Sequence, residues 1–310
     1  MIEKNRTVIP RKATTIILLR DRERDGFEVF LLRRHEQNVF MGGNFVYPGG
    51  RVDKVDGDAD IIPYCTGVSS GQAMQILGEA EPGEPSLAYW VAGLRELYEE
   101  AGILLARDKA GLMLSCESTD VRDRFALHRR HLQKREKTLV EILKEEGLTL
   151  AVDGLFYYAH WLTPEARNVR FDTRFFIARN APGQEASPDN RETTEGIWVT
   201  PAQALQENQD GTVALSPPTL KTLEDLSRFG TSDELLAAVP GLKKPLILPV
   251  LLNPLASEIL IFPWDPGYKE SAQGGLNQPV DHGSPSGPHD NTTRLVLQDG
   301  RWLPYHKNKG

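Results

Sequence analysis

The sequence predicts an α/β domain, a mixed β-sheet lying between helices. Three observations predict it. Apolar, β-branched and aromatic stretches of strand character recur at 13–20, 27–34, 155–162, 170–178 and 195–199. Stretches with helical spacing separate them, at 87–100 and 119–147 and again after Thr200 and after Pro217. With 40% hydrophobic residues among 310, the chain can also bury a core of its own.

In order, residues 1–12 are polar and read as a loose lead-in to a domain spanning 13–241. The stretches 13–20 and 27–34 form a hairpin around the charged turn 21–26. A short strand over 44–47 runs into Pro48-Gly49-Gly50. Residues 51–85 have loop composition, with one short helix near 72–77. Ser86 is placed to cap a helix over 87–100, and Gly102 to stop it. One added helical segment covers 119–147. Strands over 155–162 and 170–178 are broken apart by Thr163-Pro164, and a short strand covers 195–199. Thr200-Pro201 opens a helix with Pro in its first turn, and Pro217-Pro218 opens another. The extension 242–310 is irregular: strand-like around 245–250 and 258–265, Gly/Pro/Ser-rich over 266–291, with a closing hairpin at Asp299-Gly300.

Bulk composition excludes several classes. A net charge of −7 argues against a nucleic-acid surface, which needs a basic field. No run approaches the ~20 apolar residues that span a bilayer. The first residues carry no apolar signal core, and the last are no peroxisomal address. Cys65 and Cys116 are two cysteines far apart, so free thiols and a cytoplasmic location are expected.

The stretch with most chemistry is 93–103. As a helix it places Glu96, Glu99 and Glu100 on one face. Three clustered carboxylates repel one another unless a cation sits among them, and oxygen donors suit Mg²⁺ or Mn²⁺. A solvated acidic face is the plain alternative. Arg95, next to these acids, is expected to orient a carboxylate by a charge-assisted hydrogen bond. Gly49 and Gly50 give the preceding turn backbone freedom.

Tyr47-Pro48-Gly49-Gly50, followed by Arg95-Glu96-Leu97-Tyr98-Glu99-Glu100-Ala101-Gly102-Ile103, resembles the signature of the Nudix hydrolase superfamily. That signature reads Gly, five residues, Glu, seven residues, Arg-Glu-apolar-x-Glu-Glu-x-Gly-apolar, and its second half matches at every specified position. The resemblance covers roughly 13–205 and implies a Nudix fold. Gly50 and Arg95 are 45 positions apart where the signature has 14, an insertion of 31 residues. The first signature Glu is therefore ambiguous. Asp56 keeps its spacing from Gly50 and Leu87 its spacing from Arg95, while Asp53, Glu81 and Glu84 are further acids. The insertion, Phe40-Met41-Gly42-Gly43 and Arg107 resemble the branch of peroxisomal coenzyme A diphosphatases, the nineteenth Nudix type. Leu31-Leu32-Arg33-Arg34-His35 partly resembles a coenzyme A signature, with Thr and Ser replaced.

The resemblance implies metal-dependent hydrolysis of a diphosphate linkage in a nucleotide derivative. Coenzyme A or acyl-coenzyme A is the first substrate expected, ADP-ribose or a nucleotide sugar the second. Glu96, Glu99 and Glu100 would hold Mg²⁺ or Mn²⁺ with a carbonyl of Gly49 or Gly50, and Glu96 is an alternative general base. A non-catalytic nucleotide-binding module is the rival of another class. Arg34, Arg170 and Arg174 are candidate phosphate clamps, against surface ion pairing. Tyr47, with Phe45, is a candidate to stack on adenine, against a place in the core. Glu192 and Glu195 are candidates for an extra catalytic acid, against a plain acidic loop. The basic cluster Arg129, Arg130, His131, Lys134, Arg135 and Lys137 reads as a solvated helix face, with substrate steering the lesser alternative. His128, His131 and His160 read as structural, and Trp264-Asp265-Pro266 as a packed turn. The partner expected is a small-molecule nucleotide, without nucleic acid or membrane, and 242–310 is a candidate element for a homodimer.

Overall fold

A sheet whose two faces are both covered organises the molecule. The computed structural model describes residues 8–24, 26–38, 41–78, 86–252, 258–273 and 292–305. Glu81, Glu84, Phe40 and most of the Gly/Pro/Ser-rich 266–291 stretch lie outside them. Strands β1 (Arg11–Asp21) and β2 (Phe27–Arg34) form the antiparallel hairpin. Two short strands follow, β3 (Phe45–Val46) on β2 and β4 (Gly49–Arg51) on β1. The insertion holds a 3₁₀ turn at Lys54–Gly57, then β5 (Cys65–Thr66) and helix α1 (Ser70–Leu77). Helix α2 (Ala88–Ala101), β6 (Ala106–Arg107), α3 (Thr119–Gln133), α4 (Leu139–Glu146) and β7 (Thr149–Ala151) come next. Strands β8 (Phe156–Leu162), β9 (Phe171–Arg179) and β10 (Thr193–Val199) complete most of the main sheet. Helices α5 (Pro201–Asp210), α6 (Pro217–Leu226) and α7 (Ser232–Ala238) lead to β11 (Leu246–Ile247), β12 (Val250–Leu252), β13 (Ile259–Ile261), α8 (Tyr268–Ala272), β14 (Arg294–Gln298) and β15 (Arg301–Pro304).

The main sheet has the order β10-β2-β1-β9-β8-β11. It is mixed: β1 runs parallel to β9 over Arg11–Leu19 and β11 parallel to β8, while β2 is antiparallel to β1 and β10, and β8 is antiparallel to β9. Alternation along β1 sorts side chains between two cores. Ile16 and Leu18 join Trp90, Leu94, Leu97 and Phe176 under α2, whereas Ile17 and Leu19 join Leu220, Leu223, Phe262 and Trp302 on the other side. The small antiparallel sheet β12-β13-β14-β15 contributes Leu260, Leu295 and Trp302 to that second core. A third sheet, β5-β7-β6, joins the insertion to the segment after α2. Among the described residues no helix is long and apolar enough to cross a membrane.

Two local expectations change and one holds. Ser86 does not cap α2; Leu87 occupies the N-cap position in helical geometry, with no side-chain cap bond. The segment 119–147 is two helices, because Arg135 adopts φ +57° and Thr138 then opens a capping box with Glu141. The box was legible as Thr-x-x-Glu ahead of an apolar run. Gly102 closes α2 in the left-handed region at φ 75°, as its position suggested.

Candidate active site

The glycine turn and helix α2 meet because the turn leaves room for the carboxylates of α2 and the helix packs closely on β1 at Gly93. Gly49 and Gly50 pair with Thr15 and Thr14 of β1. Gly93 lets α2 descend onto the same strand, where a Cβ would lie 2.7 Å from Ile16 Cδ1. The last turns of α2 thereby stand against the turn. Gly49 N–H donates to Glu100 Oε2 at 2.8 Å, and a Cβ at Gly50 would overlap the Glu96 carboxylate.

Arg95 holds the acids in order. Its Nε and Nη2 donate to both oxygens of Asp56, at 2.7 and 2.9 Å. Its Nη1 serves Glu96 Oε1 at 2.8 Å and Glu99 Oε1 at 3.3 Å, and Nη2 also reaches the Arg51 carbonyl at 2.9 Å. Asp56 is 2% exposed, and its Oδ2 accepts from Asp53 N–H as well. Of the acids left open by the spacing that lie among the described residues, Asp56 is the one bound to Arg95. The insertion keeps this contact because its first, 3₁₀ turn holds Asp56 beside α2.

Burial dominates the electrostatics. It pushes the Glu96 carboxyl up to about 7, against the Arg95 charge, and raises Glu99 and Glu100 too. At Arg95 burial disfavours the charge, but the Asp56 hydrogen bonds and the neighbouring acids outweigh it and the pKa rises. Glu96 and Glu99 share one guanidinium and Glu100 is held by a backbone N–H, so the three glutamates are short of positive charge. This donor set fits a hard dication, since each glutamate keeps an oxygen outside the Arg95 and Gly49 bonds. Among the described residues no three ligating side chains converge as a ready-made cage, so the chain supplies donors rather than a finished geometry.

These residues line a cleft of about 450 Å³. Arg34, Tyr47, Gly50, Arg95, Glu96, Glu99 and Glu100 all face it, as does Glu192. Arg34 Nε and the Tyr47 hydroxyl are buried without a hydrogen-bond partner among the described residues. Tyr47 is also a core residue, 3% exposed. Arg170 and Arg174 are brought elsewhere. Arg170 donates to the carbonyls of Thr163 and Val8. Arg174 alternates away from the cleft-lining Thr173 and Phe175, pairs with Asp172 and His160, and lies over the Tyr89 ring. Glu195 faces Arg33, and Arg107 pairs with Asp153. The three histidines are each paired with a carboxylate. Trp264 stacks on Phe262 at 4.9 Å. Within the basic cluster, Arg129 is no solvated residue: its guanidinium donates to main-chain carbonyls of α2. Arg135, Trp161, Leu260 and Trp302 also line the cleft. Arg135 belongs to the basic cluster for which substrate steering is the lesser alternative, whereas long-range packing brings the other three there and nothing in their local sequence marks them.

Comparison with known proteins places the chain among relatives of one family. A family model described as the NUDT19 Nudix domain matches residues 71–228. The chain is 28% identical over 240 residues to an acyl-coenzyme A diphosphatase NUDT19 of Xenopus laevis, covering 67% of this chain and 62% of that protein. It is 26% identical over 286 residues to the human protein of that name, covering 80% of this chain and 74% of the relative. A Nudix hydrolase crystal structure from Alicyclobacillus acidocaldarius superposes with a TM-score of 0.62 at 25% identity, covering 76% of this chain and 98% of that one.

Proposed function

This chain belongs to the Nudix hydrolase family through its NUDT19 Nudix domain, and on that footing we propose that it hydrolyses the diphosphate linkage of coenzyme A or acyl-coenzyme A. The products are 3′,5′-ADP and the phosphopantetheine half. The observation that carries the reading is the gathering of Glu96, Glu99 and Glu100 against Gly49-Gly50 and Arg95 at one side of the cleft. The named relatives support the choice of substrate.

The three glutamates would hold Mg²⁺ or Mn²⁺, and a bound dication supplies charge neutralisation at the diphosphate oxygens and lowers the pKa of water. Arg95 keeps Glu96 and Glu99 side by side, and Gly49 N–H fixes Glu100. Arg34 and Arg135 present guanidinium groups to the substrate's phosphates. Glu192 takes the proton of the attacking water, because its carboxylate faces the cleft without a hydrogen-bonded side-chain partner among the described residues. Attack at phosphorus breaks the P–O bond of the anhydride, and the leaving phosphate departs as an anion without needing a proton. The setting we assign is cytoplasmic, and light scattering tests the homodimer.

The test is product analysis on coenzyme A, acyl-coenzyme A, ADP-ribose, NADH and diadenosine polyphosphates, with Mg²⁺, with Mn²⁺ and with neither. Turnover of the coenzyme A pair only with metal is expected, and ADP-ribose as the preferred substrate would reassign the enzyme within its class. Glu99→Gln and Glu100→Gln should each lose most turnover while retaining the wild-type circular dichroism. Full activity in either variant, or no turnover by the wild type on any substrate, sinks the proposal.

A further inference from the structure

Helix α3 holds the acidic end of α2 chiefly through Arg129, with Gln133 beside it. Arg129 Nε donates to the Glu99 carbonyl at 3.0 Å, and its Nη2 donates to the Glu100 carbonyl at 2.8 Å. One turn further along α3, Gln133 Nε2 donates to the Glu99 carbonyl at 2.6 Å. A helix leaves its last carbonyls without partners, and a cation there also meets the negative end of the helix dipole. Left-handed Gly102 makes room, since a Cβ there would lie 2.9 Å from Arg129 Nη1.

The same guanidinium also grips a second element. Arg129 Nη1 donates to Ser187 Oγ at 3.1 Å and Nη2 to the Ser187 carbonyl at 3.0 Å. Ser187 lies in the loop between β9 and β10 that carries Glu192 to the cleft. Arg191, next to Glu192, donates back to the Gln133 carbonyl at 3.1 Å. Asp189 makes the loop stiff by accepting from the N–H groups of Arg191, Glu192 and Thr193. Glu192 itself is anchored where its carbonyl accepts from His35 N–H at 2.9 Å.

We propose that Arg129 is a positioning residue that sets the spacing between the glutamates of α2 and Glu192. It rests on the catalytic reading of Glu192 given above. The planar fork is what the role needs, since one rigid group reaches two carbonyls of α2 and two oxygens of Ser187. The inserted helix α3 is then part of the catalytic apparatus, although it contributes no group to the cleft at Arg129.

The test uses the full chain. Arg129→Met should lower kcat roughly 10- to 100-fold, as loss of groups that orient ligating residues does. KM should stay within about threefold, because the groups facing the phosphates are untouched. Glu192→Gln and the double variant complete a cycle: if Arg129 acts through Glu192, the second change adds little to the first. Independent multiplication of the two losses overturns the proposal. Hydrogen exchange reads the same bracket without activity. Arg129→Met should speed exchange both at 99–102 and at 187–193, and faster exchange at 99–102 alone overturns it. Should Arg129→Met fail to fold, Arg129→Lys keeps the charge but loses the fork. A lowered kcat at unchanged KM supports the role, and wild-type kcat overturns it. Wild-type inactivity on every substrate would remove the functional reading, while the exchange experiment would still decide the bracket.

Discussion

Arg95 spends one guanidinium on three carboxylates and a carbonyl, and the buried partner among them is Asp56. Removing one member of a buried pair leaves the other charge uncompensated, which costs about 3–5 kcal/mol. Asp56→Asn is therefore expected to lower the unfolding free energy, read from a urea titration, by a comparable amount and to reduce turnover, with Asp56→Glu partly retaining both; a urea midpoint unchanged in Asp56→Asn would remove Asp56 from this role. Glu224 gives a prediction of opposite pH sense to the usual acid unfolding. It is 2% exposed on α6, and burial pushes its carboxyl from 4.5 to about 7, against Thr292 and Lys221. The fold then binds this proton more tightly than the unfolded chain does, so this group's contribution to stability falls as pH rises from 4.5 to about 7. Relative to wild type, Glu224→Gln should be more stable at pH near 7.5 than at pH near 5, by urea unfolding; equal differences at both pH values would refute it. At this scale the sequence already pointed to the helical glutamates, Arg95 and the glycine turn, because their spacing is local. Asp56 was ambiguous by spacing, since its partner lies beyond the insertion. Arg170 and Arg174 misled because a strand arginine's face depends on register with β1 and β8, which local sequence does not contain.

Helix α2 is placed by what it lacks. Gly93 sits mid-helix, where glycine is poorer than alanine by about 1 kcal/mol. An added Cβ would nonetheless lie 2.7 Å from Ile16 Cδ1 and 3.1 Å from Thr14 Oγ1, inside a fully buried layer. Overpacking of this kind costs about 1–3 kcal/mol, so Gly93→Ala should be net destabilising despite its better propensity. Thermal unfolding decides the sign, and a stabilised variant would show that α2 can lift off β1 freely. The elements themselves were largely readable: β1, β2, α2, α5, α6 and the closing hairpin follow from apolar period and turn residues. Where reading failed, a short-range signal had been passed over, as with the Thr138 capping box, or the strand was too short to have a period, as in β5, β6 and β7. The basic face of α3 shows a third reason. Charge alone marks it for solvent, yet Arg129 is turned inward by acceptors that only tertiary structure supplies.

The whole molecule closes its second face with its C-terminal residues. Strands β8 and β9 offer Trp161 and Phe175 to that side, and β13, β14 and β15 cover them with Leu260, Leu295 and Trp302. Phe262 packs edge-on against Trp161 with ring centroids 6.0 Å apart. The same segment is tied to the helices: Asn208 of α5 donates to the Trp302 carbonyl at 3.0 Å, and Thr292 donates to Glu224 of α6. Leu260 and Trp302 also line the cleft. We therefore propose that the described residues 258–273 and 292–305 are part of the same folding unit rather than an appended module. Loss of a buried Trp alone costs about 3–5 kcal/mol, and a domain's whole stability is about 5–15 kcal/mol. Truncation after residue 257 should thus leave no cooperatively folded protein, seen as loss of the near-ultraviolet circular dichroism and of a sharp thermal transition. The milder Trp302→Ala should stay folded with a lowered midpoint and a weakened substrate affinity, since one residue serves both core and cleft. A truncated chain that keeps a cooperative transition would instead mean that the second face is sealed by α5, α6 and α7 alone, and that the C-terminal sheet serves the cleft only.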